Sequence, residues 1–159
     1  MTARKIAALT VLLTGTALAF HAGFVFAGAE ATSDEVGPRL AYASLFQAVA
    51  AGDLYATLDY LRVGADLTQR DEQGREPLLA AAEAGHSHIV NAMINAGADL
   101  EARDPLGNTA LHLAAAAGRL YTADRLCRRG IWTEVRNDRN YTPLHSAAAG
   151  GRPEVVKHL

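Results

Sequence analysis

One spacing constrains this chain more than its composition does: the same residues return every 33 positions. Asp71-Glu-Gln-Gly-Arg-Glu-Pro-Leu-Leu-Ala-Ala-Ala-Glu-Ala-Gly85 aligns with the segment from Asp104 to Gly118, and both align with the segment from Asn137 to Gly151. Leu78, Leu111 and Leu144 hold the register, as do Ala81, Ala114 and Ala147. Gly52, Gly85, Gly118 and Gly151 form one glycine series, and Gly64, Gly97 and Gly130 form another. A period of this length marks stacked supersecondary units, none of which can bury its apolar face alone. An alanine run such as Leu113 to Ala117 forms helix readily but buries little surface, so it needs that stacking to persist.

The motifs inside the period identify a family. Thr142-Pro-Leu-His145, Thr109-Ala-Leu-His112 and the partial Glu76-Pro-Leu-Leu79 recur with Gly64-Ala-Asp66 and Gly97-Ala-Asp99. In this combination the chain resembles the ankyrin repeat family over roughly residues 38–159. The resemblance implies an all-α solenoid of helix-turn-helix units joined by β-hairpin loops, and a role in binding another protein without catalysis. The expected units are 38–70, 71–103, 104–136 and a partial 137–159, which stops within its second helix as a fragment or an abrupt end. Ala43-Ser-Leu-Phe46 departs from the motif, as an N-terminal capping unit should.

Residue chemistry supports the same reading. Thr109 and Thr142 stand where helices begin, and a Thr hydroxyl there can satisfy a free backbone donor. In the family, the His three residues on ties the first turn to its neighbour, so His112 and His145 are expected to be structural. The glycines at 85, 118, 97 and 130 fit left-handed positions at helix ends. Ile89, Val90, Met93 and Ile94 make an apolar stripe at helical spacing.

The N-terminus carries a different signal. Met1-Thr-Ala-Arg-Lys5 is basic, Ile6 to Phe20 is uncharged and apolar, and Ala27-Gly28-Ala29 offers small residues for cleavage. Together these predict a secretory signal peptide over 1–29, followed by a polar linker over 30–37. Ile6 to Ala29 is also long enough to span a bilayer, so a retained anchor carrying a scaffold of repeats is the alternative. Either way the repeats are expected on the far side of a membrane, in a bacterial periplasm or an equivalent exported space. Without residues 1–29 the chain has 13 basic and 17 acidic residues. That balance argues against nucleic acid as a partner.

No catalytic, cofactor or metal motif stands out. Cys127 is the only cysteine, which excludes an internal disulfide, and it aligns with the core position Ile94. His86 and His88 are two apart on a helix and point away from each other, with no third ligand evident. A metal- or redox-active protein built on these three residues is the remaining alternative. Asn140-Tyr-Thr142 fits a glycosylation acceptor, but its Thr belongs to the helix start.

Breaks in the repeat nominate the partner-binding residues. Gly130-Ile-Trp132 stands where other units read Gly-Ala-Asp, so a turn-stabilising Asp has become the only Trp. Trp132 has two readings: a binding anchor, or packing over the fourth unit because the core of the third is thinned by Thr122 and Ala123. Tyr141, with its register equivalents Arg75 and Asn108, occupies a hairpin position that commonly faces partners in the family. Arg136 and Arg139 lie between Trp132 and Tyr141. Arg70, Arg103 and Arg136 form a column, suited to an acidic partner or to pairing with carboxylates such as Asp71 and Asp104.

Overall fold

The computed structural model describes residues 42–159. The expected signal peptide, the alternative span 6–29, the linker and the first residues of the opening unit lie outside the described residues. Among the described residues no helix is long and apolar enough to cross a membrane.

Eight helices follow in pairs among the described residues: α1 Leu45–Ala51 and α2 Leu54–Arg62, α3 Pro77–Ala84 and α4 Ser87–Asn95, α5 Ala110–Ala117 and α6 Leu120–Arg128, α7 Pro143–Ala149 and α8 Pro153–His158. First helices pack on first helices along the stack, and second helices on second helices, which is the helix-turn-helix solenoid implied by the resemblance. Buried Ala81, Ala114 and Ala147 let the first helices approach closely. Each loop closes with one bond in register: Asp71 N–H to the Arg75 carbonyl (3.0 Å), Asp104 to Asn108 (3.0 Å), and Asn137 to Tyr141 (2.9 Å). The hairpins are thus turns, with no strand among the described residues.

Local chemistry sets the helix ends. Ser44 caps α1, accepting from the Gln47 N–H, while Gln47 Oε1 accepts from the Ala43 N–H. Tyr60 donates its hydroxyl to the Tyr42 carbonyl, closing the edge of the first unit from within. Gly85 and Gly118 end α3 and α5 at φ 90° and 76°, values that favour glycine. A Cβ there would also lie 2.7 Å from Arg119 and Arg152 respectively. Those arginines lean over the glycines and donate to the carbonyls of Glu83 (3.0 Å) and Ala116 (3.1 Å), in the last turns of the preceding first helices. Each therefore helps to close the end of a helix in the unit before its own.

The thinned third unit is repaired by an unexpected neighbour. Ile131, not Trp132, is buried against the core beside Ala123 and Leu126. Trp132 is 70% exposed, which overturns the packing reading of that residue. Backbone direction explains the swap, since adjacent residues leaving a helix cannot both face inward. Thr122, which replaces Ile89, is buried with its Oγ1 unpartnered, the only such side-chain atom among the described residues.

Candidate binding groove

The Thr–His pairs organise the loop edge of the site. His112 is fully buried, and its Nε2 lies 2.8 Å from the Tyr141 carbonyl of the next unit. A carbonyl only accepts, so Nε2 carries the proton. Nδ1 then accepts from the Thr109 hydroxyl (2.9 Å) and from the Thr109 N–H (3.3 Å). This is a capping box with imidazole in the place of a carboxylate. The Thr hydroxyl thus engages the imidazole, and the imidazole satisfies the backbone donor. Burial pushes the His112 pKa down; the Tyr141 carbonyl opposes this, Arg103 adds to it, and Asp104 opposes it. In α3 the pair is absent: Leu79 fills the His position, and Glu76 pairs with Arg70 (2.9 Å).

The arginine column is an internal ladder. Arg70 donates to the carbonyls of Gly74 (2.7 Å) and Arg103 (2.9 Å). Arg103 repeats the pattern with Gly107 (3.5 Å) and Arg136 (3.1 Å), and Arg136 donates to Asn140 (3.0 Å). The carboxylate expected from sequence for Arg70 and Arg103, Asp71 or Asp104, is not their partner. Arg70 pairs with Glu76 instead, and both guanidiniums lie across their own loops and meet backbone oxygen.

Between the loops and the first helices runs a groove with two hollows. The first, ≈ 410 Å³, is lined by Phe46, Val49, Asp71, Arg75, Glu83 and Arg119 among others. Arg75 is committed here: it holds Asp71 through Nε (2.9 Å) and a terminal nitrogen (2.7 Å), and it also reaches Glu83. Burial pushes the Asp71 carboxyl up, but the Arg75 guanidinium and backbone N–H groups outweigh it and hold the pKa low.

The second hollow, ≈ 200 Å³, lies between the third and fourth units and gathers Leu106, Asn108, Asn137, Arg139, Tyr141 and Ser146. Asn108 is fixed by Asp104 (2.9 Å) and Asn137 (2.7 Å). The Tyr141 ring stacks on His145, with centroids 5.8 Å apart. The Arg139 guanidinium makes no hydrogen bond among the described residues, and Leu106 and Tyr141 leave large apolar surfaces in solvent. Trp132 does not line this hollow.

Of the residues nominated from sequence, the structure brings Asn108, Arg139 and Tyr141 together. It places Arg75 in the first hollow, engages Arg103 and Arg136 with carbonyls, and leaves Trp132 apart. Sequence reasoning missed Leu106, Ser146 and the arginines over the glycines. The pairs Gly85-His86, Gly118-Arg119 and Gly151-Arg152 recur at 33 residues and carried that last signal.

Among the described residues no three His, Cys, Asp or Glu side chains cluster as metal ligands. Cys127 is half-buried, and burial, helped by Asp124, pushes its thiol up, away from the reactive thiolate. A family model described as Ankyrin repeats (3 copies) matches residues 45–137, and one described as Ankyrin repeat matches residues 139–159. No curated protein matches the chain.

Proposed function

The chain belongs to the ankyrin repeat family, and on that premise we propose that it is a non-enzymatic module that binds another protein through the groove of its third and fourth units. The observation that carries this reading is the hollow where Arg139, Tyr141 and Leu106 meet solvent beside a rigid row of capped first helices. Exposed Tyr and Arg on a preorganised frame are the residues that dominate protein interfaces. We place this binding in a bacterial periplasm or an equivalent exported space, a reading supported by the pattern of residues 1–29.

The test is capture of partners from an exported fraction by the mature chain, beside folded Tyr141→Ala and Trp132→Ala variants. The groove reading expects a protein retained by the wild type and lost with Tyr141→Ala. Retention unchanged in Tyr141→Ala overturns it.

A further inference from the structure

Charge is unevenly distributed along the stack. Residues 42–103 hold nine carboxylates and four arginines, whereas residues 104–159 hold five carboxylates, seven arginines and Lys157. The two halves also use their cations differently. In the first, Arg62, Arg70 and Arg75 each meet a carboxylate. In the second, among the described residues, only Arg128 and Lys157 do, at 2.8 and 3.3 Å. Arg119, Arg136 and Arg152 donate to backbone carbonyls, and Arg129 to the amide oxygens of Asn91 and Asn95. A carbonyl or amide orients a guanidinium but leaves its charge uncancelled. Arg125 and Arg139 have no carboxylate within ion-pair distance among the described residues. The positive surplus of the third and fourth units is therefore largely fixed in place before any partner arrives.

The two hollows differ accordingly. In the first, Arg75 is neutralised by Asp71 and Glu83. In the second, Arg139 is the charged side chain of the lining, flanked by Leu106 and Tyr141, with Arg152 two residues beyond the lining residue Gly150. We propose that this hollow takes an acidic segment of the partner protein, one carboxylate meeting Arg139 and an apolar side chain seated between Leu106 and Tyr141. The inference rests on the binding role proposed above. A protein segment fits better than a nucleic acid because the adjoining first half is acidic and would repel a long polyanion.

The test uses the full chain and a fluorescent peptide of alternating Glu and Leu, with Gln-for-Glu and Lys-for-Glu counterparts, read by anisotropy at low and moderate salt. The Glu peptide should bind, and weaken as salt rises, while the Gln peptide should be at least about tenfold weaker. Arg139→Glu should weaken the Glu peptide about tenfold, whereas Arg125→Glu, on the second-helix face, should change it less than about twofold. Equal binding of the Glu and Gln peptides overturns the proposal. So does an equal effect of the two arginine variants, or full displacement of the peptide by a single-stranded oligonucleotide of matched charge. If the Glu peptide fails while a captured protein is still lost with Tyr141→Ala, the acidic partner falls and the binding role stands. If the peptide binds through Arg139 but no protein is captured, the groove's preference stands and the cellular reading falls.

Discussion

Thr109-Ala-Leu-His112 and Thr142-Pro-Leu-His145 build the same capping box, but only the first has a described unit stacked beyond it. Leu111 is fully buried and Leu144 is 42% exposed. His112 reaches the Tyr141 carbonyl, whereas the Nε2 of His145 has no such acceptor among the described residues. Arg103 bonds into the following loop, and Arg136 bonds only its own. The motif folds a helix start by itself; its contribution to stability comes from the neighbour it touches.

That contrast is most sharply tested at the leucines. Leu111→Ala should cost about 3 kcal/mol in denaturant titrations, and Leu144→Ala under about 1 kcal/mol. Equal costs would mean that something covers the edge of the fourth unit in solution. The histidines come next: His112→Ala should cost about 2 kcal/mol, because it strips a partner from the Thr109 donors and from the Tyr141 carbonyl, while His145→Ala should cost less than half of that.

Acid should test the buried member of the pair. Burial holds the folded-state pKa of His112 below the ordinary 6.5. As pH falls, the unfolded chain therefore takes up that proton first. The stability involved is complete above about pH 6.5 and declines below it, until the folded-state value is reached. Unfolding midpoints at about pH 7.5 and about pH 5.5 should differ less in His112→Gln than in the wild type. A wild-type difference that survives His112→Gln would assign the acid sensitivity elsewhere.

Two smaller effects probe the third unit. Thr122→Val removes a buried unpartnered hydroxyl at nearly constant shape and should stabilise by about 1 kcal/mol. Trp132→Asp restores the turn that Asp66 and Asp99 make with the N–H groups of Thr68 (2.8 Å) and Glu101 (2.9 Å). Its expected effect on unfolding free energy, read by denaturant titration, is neutral to a gain of about 0.5 kcal/mol. A clear loss from Trp132→Asp would mean that the indole packs after all.

The repeat, its glycine series and its helix starts were legible in the sequence because each obeys a local rule and recurs at one spacing. Leu78, Leu111 and Leu144 look alike in sequence, and only the stack shows which is uncovered. The choice between Ile131 and Trp132 was not legible, since composition marks the rarer residue while backbone direction decides which one turns inward. The arginine column was visible, but apart from Glu76 beside Arg70 its acceptors are peptide oxygens, which every residue possesses and no sequence pattern reveals. Of the groove, Asn108, Arg139 and Tyr141 could be named in advance. Arg75 shares the hairpin position of Asn108 and Tyr141, yet two nearby carboxylates hold it.

The arginine ladder bears on how such a chain can change its length. Each rung joins residue n to the carbonyl of residue n + 33, from Arg70 to Arg103 and from Arg103 to Arg136. Inserting or deleting a few residues between rungs displaces the acceptor and leaves the guanidinium bonded within its own unit alone. Adding or removing a whole unit presents the next guanidinium with an equivalent oxygen. Tandem duplication of complete units is therefore the genetic change this architecture absorbs most easily, and a small frame-preserving insertion inside a helix is among the changes it resists most.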